Sequence, residues 1–256
     1  RAPETTRRRE SRSPAPPALA VKQSRLTILD MAERSREALS AALALTAHYS
    51  RNGFEEVKRM ESDVDRYEDA LGSYLVKLTG RDMTRRQNED VSKYLHTLTD
   101  FERISDHALN IAESAAEIHD KKVDFSDKAT RELSVLSAAV REIVRLTTEA
   151  FSQNDLTQAA RVEPLEQLID DLCDKAKRHH VERLQQGVCT IKQGFVFNDL
   201  LTSIERVGDH CSNIALAMLE LEDDSFDTHA GQKRLKDDDP QAFQSAYDDY
   251  AARFSL

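Results

Sequence analysis

Cysteine is scarce in this 256-residue chain. Cys173, Cys189 and Cys211 form no Cys-x-x-Cys pair, and their odd number fits a reducing compartment better than a disulfide framework. Glycine and proline are scarce too, 7 and 6 in all, and Pro164 is the sole proline between Pro17 and Pro240. That excludes a turn-rich β architecture and leaves long helices, so the expected fold is all-α. No long apolar run exists: the longest uncharged stretch, Ala38 to Ser50, has 13 residues including His48 and is too short to cross a bilayer. Positive charge is not in excess either. Lys and Arg number 36 against 46 Asp and Glu, a net of −10, which speaks against nucleic acid as a main partner. The chain starts at Arg1 without a basic-apolar-small signal pattern, so it reads as a piece of a longer protein rather than a secreted precursor, with a cytoplasmic setting expected.

What is present is enough apolar content, 39%, to bury a core beside 32% charged residues. Residues 1–25 hold seven Lys or Arg and two Asp or Glu, including Arg7-Arg8-Arg9 and a Pro14 to Pro17 cluster. A flexible basic linker is expected over 1–16, either a juxtamembrane segment or a solubilising tail. From Pro17 the apolar residues recur at helical spacing, and Asn52-Gly53 supplies a stop. A second helix is predicted from about Phe54 to Gly80 and a third from about Thr84 to His119. After Lys121-Lys122-Val123-Asp124, Ser126 can cap a fourth helix to about Phe151. A fifth then runs to Gly187 and a sixth from about Thr190 to Leu221. Residues 223–256 read as an acidic loop and a short helical tail from about Gln241. Two three-helix units follow, over 17–121 and 122–222.

The halves are related. Residues 98–113, LTDFERISDHALNIAE, align with 201–216, LTSIERVGDHCSNIAL, sharing nine of sixteen positions at an offset of 103. In the second helices an offset of 105 sets Val57, Met60, Val64 and Tyr67 on Val162, Leu165, Ile169 and Leu172; a rigid 102 would instead pair Glu61 with Glu163.

Four acidic pairs then stand at i,i+4 spacing: Glu61 with Asp65, Glu102 with Asp106, Glu166 with Asp170, and Glu205 with Asp209. Each pair shares one helix face, where like charges destabilise a helix by roughly 0.2–0.5 kcal/mol, so a compensating cation is expected. Carboxylate oxygens suit Mg, Ca, Mn or Fe, and each half offers one such site. Arg103 and Arg206 can instead neutralise the acids in a salt-bridged seam without metal. Ile104, Ile111, Val207 and Ile214 are expected on the core face. His107 and His210 point about 100° away from the neighbouring aspartates and are read as second-shell or capping groups. Asn110 and Asn213 share the acidic face, as a further oxygen ligand or as interhelical hydrogen bonders.

The duplicated ERISDHALNIA and ERVGDHCSNIA, preceded by helices carrying ExxVD and ExxID, resemble the PhoU family over about residues 17–222. That resemblance implies two three-helix bundles related by pseudo-twofold symmetry. It also implies multinuclear metal clusters, Fe or Zn with Mg or Mn as further candidates: one on Glu61, Asp65, Glu102 and Asp106, the other on Glu166, Asp170, Glu205 and Asp209. The stretches HHVERLQQGVCTIKQGFVFNDLL and FDTHAGQKRLKDDDPQAFQSAYDDYAARFSL look like the cytoplasmic C-terminal region of bacterial sodium/phosphate cotransporters.

The function expected from this likeness is a metal-binding regulatory domain controlling phosphate uptake, at the inner face of the cell membrane and partnered with a transmembrane phosphate transporter in the same chain or associated. The alternative is a free-standing PhoU-type regulator of a phosphate ABC transporter and its sensor kinase. Exposed faces of a two-bundle protein also leave room for a homodimer. A di-iron carboxylate enzyme would use Glu-x-x-His motifs, and none of the 8 histidines has Glu three residues before it. No nucleophile motif or Gly-rich phosphate loop occurs, so no catalytic residue is expected. A purely structural bundle is the third reading.

Overall fold

The computed structural model describes residues 16–220 and 239–256. The predicted linker up to Ala15 and the acidic loop over 223–238 lie outside the described residues. The described residues are helical throughout, with no strand among them: α1 Pro17–Ala47, α2 Arg51–Thr79, α3 Arg85–Lys121, α4 Asp127–Gln153, a single turn α5 Leu156–Ala159, α6 Val162–Gln185, α7 Ile191–Glu220 and α8 Pro240–Arg253.

The boundaries follow local chemistry. Pro17 opens α1 at a position whose N–H has no intrahelical partner in any case. Thr84 and Gln87 form a reciprocal capping box for α3, and Ser126 caps α4 by accepting from the Ala129 N–H. Two expected limits are corrected. The first break comes at His48 to Ser50 rather than at Asn52-Gly53, because the Ser50 hydroxyl accepts from the Gly53 N–H and starts α2 there. Gly53 is thus a first-turn residue, and a Cβ on it would stand 2.8 Å from Leu45 Cδ2. The fifth predicted helix is also two pieces, α5 and α6. Pro164 cannot donate to the carbonyl four residues back and its ring clashes there, so the helix restarts at Val162 and leaves Pro164 in its first turn.

Helices α1, α2 and α3 pack on one another, and α4, α6 and α7 do likewise. The halves join chiefly where α3 meets α7. Ile104, Ile111, Val207 and Ile214 are all buried in the continuous core, as their spacing predicted. Phe101 and Phe151 meet edge to face at 5.1 Å, tying α3 to α4. His107 and His210, equivalent positions of the repeat, stack with ring centres 5.6 Å apart. A residue touches its own counterpart only close to a symmetry axis, so the pseudo-twofold axis passes between these rings. A buried ion pair fixes α4 to α6: Arg183 donates to both Glu132 oxygens at 3.0 and 2.8 Å. Helix α8 lies on α6, where Tyr247 donates to Asp171 at 2.7 Å and Tyr250 is buried.

Candidate metal centre

The second half gathers three of its four predicted acids. One oxygen from each of Glu166, Asp170 and Asp209 lies within 4.8 Å of the others, the only such group of three potential ligands among the described residues. Helix spacing is the cause. Glu166 and Asp170 occupy successive turns of one face of α6, and Asp209 approaches from α7. Gly208 lies at this crossing, where a Cβ would make ordinary van der Waals contact with Glu166 Cγ at 3.7 Å and Ile169 Cγ2 at 3.8 Å, so the approach does not depend on the glycine. Oxygens bound at about 2.0–2.6 Å stand at most about 5 Å apart across one cation, so this spacing fits a single ion.

The fourth acid, Glu205, does not join them: it accepts a hydrogen bond from Lys177 on the neighbouring helix. Arg206 donates to Asp209 at 3.1 Å from the exposed side. All three clustered acids hold their protons more tightly than usual. Burial, then the charges of Glu163, Asp170 and Asp209, push Glu166 up to about 8. Asp170 is raised by burial and by Glu205 and Asp209; Asp209 is raised by burial against the opposing Arg206.

In the first half the predicted acids are neighbours but do not converge. Glu61 is raised by burial and then by Asp106 and Asp65, and burial with Asp106 pushes Glu102 up to about 7 against the opposing Arg103. Arg103 contacts both acids of its own helix, Nε 3.4 Å from Glu102 and Nη1 2.9 Å from Asp106. Asp65 is exposed. Ser105 holds the repeat position of Gly208, and its buried hydroxyl has no hydrogen-bond partner.

The histidines and asparagines lie at the α3–α7 crossing. His210 Nδ1 is 2.9 Å from Asp100 Oδ1, to which Asn213 also donates at 3.1 Å, so both are engaged by Asp100 rather than by a carboxylate pair. Asn110 stands 3.5 Å from His107, which burial and the adjacent His210 push down to about 4. His107 and Asn110 also line a cavity of about 350 Å³ with Glu113, Glu117, Asp199 and Ser203.

Sequence reasoning missed two groups, Lys177 and Asp100, and left Glu163 as an alternative to Glu166. Lys177 lies seven residues, two turns, beyond Asp170, so the helical period that found the acids would have placed it on their face. Glu163 is taken up by the Ser212 hydroxyl, while Glu166 stands at Asp209, as the 105 offset requires. Asp100 carried no signal, because its repeat counterpart is Ser203.

The model of the PhoU domain family matches residues 28–115 and 133–218, one stretch in each half. The phosphate-specific transport system accessory protein PhoU homolog 1 of Thermotoga maritima is 29% identical over 123 residues, 48% of this chain and 52% of that protein. The chain thus spans about half the length of that relative. The PhoU homolog of Deinococcus radiodurans is 24% identical over 197 residues, 77% of this chain and 90% of the relative. Two crystal structures share the fold. PhoU from Pseudomonas aeruginosa superposes with a TM-score of 0.76 at 20% identity, covering 81% of this chain and 99% of that one. The phosphate transport system regulatory protein PhoU from Streptococcus pneumoniae gives 0.74 at 16%, covering 83% and 99%. With both halves accounted for by the same family model, the chain belongs to the PhoU domain family.

Proposed function

We propose that this chain is a non-enzymatic regulator of phosphate transport that responds to a cation held between α6 and α7. The observation that carries the reading is the convergence of Glu166, Asp170 and Asp209 within 4.8 Å on two helices. An all-oxygen donor set suits Mg, Mn, Ca or Fe, while Zn would lack its usual nitrogen or sulfur ligands. Glu166, Asp170 and Asp209 would hold the cation, which would neutralise three acids that otherwise repel one another. Glu205, released from Lys177, is the natural fourth ligand. The first-half acids Glu61, Asp65, Glu102 and Asp106 form the second and weaker site in this reading.

The partner is a transmembrane phosphate transporter, met at the inner face of the membrane. The relatives' names as accessory proteins of phosphate-specific transport systems support an associated regulator over a domain of a sodium/phosphate cotransporter, which rests on sequence motifs alone. The test is elemental analysis of protein purified without chelator or metal-affinity resin, set beside Glu166→Gln/Asp209→Asn with helicity checked by circular dichroism. Stoichiometric metal that falls in the variant at unchanged helicity is the expected result. Trace metal in both, with silent Mn, Mg, Fe and Zn titrations, overturns the reading.

A further inference from the structure

The α3–α7 crossing is built twice by the repeat, and one copy lacks a carboxylate. On one side Asp100 of α3 takes both His210 Nδ1, at 2.9 Å, and the Asn213 amide, at 3.1 Å, from α7. The pseudo-twofold axis turns this arrangement over, so that His107 and Asn110 of α3 face the counterpart of Asp100 on α7. That counterpart is Ser203, which carries a hydroxyl and no carboxylate. His107 and Asn110 turn to each other instead, at a long 3.5 Å. In place of the absent acid stands the cavity of about 350 Å³ that His107, Asn110 and Ser203 line together, the size of a small-molecule site.

The floor of this cavity offers donors. Ser203 is only 6% exposed, and its side chain makes no hydrogen bond among the described residues. Its hydroxyl is therefore free for whatever enters. His107, pushed down to about 4 by burial and the adjacent His210, is a neutral imidazole with one N–H to give. Asn110 stands beside it with an amide N–H, as Asn213 stands beside Asp100 in the other copy. Two of these three groups are the kind that the repeat already uses on a carboxylate.

The mouth has the opposite character. Glu113 from α3 and Asp199 from α7 are exposed on the cavity wall, and neither has an ion-pair partner among the described residues. Glu117, the third acid of the wall, is taken by Lys121. No lysine or arginine lines the cavity. A simple anion meets two uncompensated carboxylates on its way in, and a simple cation finds no counter-charge at the floor. A molecule with a leading carboxylate and a trailing ammonium satisfies both ends.

We propose that this cavity binds a small zwitterion of the amino-acid type, its carboxylate on Ser203, His107 and Asn110 where Asp100 serves the other copy, and its ammonium at Glu113 and Asp199. The occupant bridges α3 and α7, the helices through which the two halves chiefly join. The site is distinct from the Glu166, Asp170 and Asp209 cluster and does not rest on the metal reading.

The experiment is NMR titration of the His107 ring in the full chain, with chelator present so that no metal at Glu166 takes the carboxylate. The probes are glycine, β-alanine and 4-aminobutyrate, with propionate as the anion alone and propylamine as the cation alone. At least one zwitterion is expected to bind about tenfold or more tightly than either singly charged probe, since a hydrogen bond to a charged group is worth about that factor. Glu113→Gln/Asp199→Asn, at exposed positions that the fold tolerates, should weaken that zwitterion about tenfold and leave propionate no weaker. Ser203→Asp restores the missing carboxylate from α7, so it should abolish zwitterion binding and shift the His107 ring as the ligand does; if it does not fold, the Glu113→Gln/Asp199→Asn variant decides. No response to any zwitterion overturns the proposal. Propionate or propylamine binding as tightly as the zwitterions also overturns it, because one end then plays no part, and so does undiminished binding in Glu113→Gln/Asp199→Asn. The metal content of the native chain is measured apart from this titration, so failure here and failure of the metal site are read separately.

Discussion

Arg103 reaches both acids of its own helix, whereas its repeat counterpart Arg206 is bonded to Asp209 and leaves Glu205 to Lys177 of α6. The acids of the first half are thus held along α3 by one guanidinium. In the second half the cations pull Asp209 and Glu205 to different sides, and Asp209 is left facing Glu166 and Asp170 across the helix pair. The repeat position beside these acids differs as well, Ser105 in one half and Gly208 in the other. One duplicated frame has therefore produced a salt-bridged seam in one bundle and an open carboxylate cluster in the other. Conserving charge at a position does not conserve its neutralisation, which is decided by cations outside the motif.

The largest expected effect that sharpens this contrast is on cation affinity. Glu166→Gln/Asp170→Asn should weaken Mn2+ binding by about 100-fold or more in calorimetric titration, since it removes two of three converging oxygens. Glu102→Gln/Asp106→Asn should change it by less than about tenfold, because those acids already have Arg103 as a partner. Equal losses in the two variants would erase the difference between the halves.

A smaller effect is expected on the pH dependence of the metal-free protein. Glu166 holds its proton up to about 8 in the folded state, against an ordinary 4.5, as burial and neighbouring acids dictate. Between these values the folded protein binds the extra proton and the unfolded chain does not, so stability falls as pH rises from 4.5 to 8 and is level outside that window. In chelator the native chain should lose about 5 °C or more of Tm across it, whereas Glu166→Gln should lose less. Glu102 adds a weaker fall between 4.5 and about 7. Saturating Mn2+ should reverse the trend, because the cation favours the ionised acids. A Tm that is level or rises with pH in chelator would show the cluster to be better hydrated than its geometry implies.

Much of the fold is legible in the sequence because few residues compete for each signal. Seven glycines, one internal proline and a 3.6-residue apolar period give the long helices, and the repeat gives their pairing. The errors fall where side chains act on the backbone: Ser50 capping over Gly53, and Pro164 resetting a helix that periodicity alone runs straight through. The acidic faces were legible too, being properties of single helices. Their pairing with Lys177, the diversion of His210 and Asn213 to Asp100, and the separation of Glu205 from its three companions were not. Each depends on the azimuth of one helix against another, and a shift of one turn exchanges the partner.

The smallest expected effect is that of Arg103→Gln. Exposed ion pairs are worth about 0–1 kcal/mol, and Arg103 is 53% exposed, so the fold should lose little stability. Removing the guanidinium leaves Glu102 and Asp106 facing Glu61 without the arginine as counter-charge. A bound cation then replaces the lost arginine, and Mn2+ affinity of the first-half site, measured in the Glu166→Gln/Asp170→Asn background, should rise by up to about fivefold as the competing ion pair of that size disappears. Arg206→Gln touches only one of three clustered acids and should raise second-half affinity less. A first-half site that stays silent after Arg103→Gln would mean that the packing of α2 on α3, rather than the arginine, holds these acids apart.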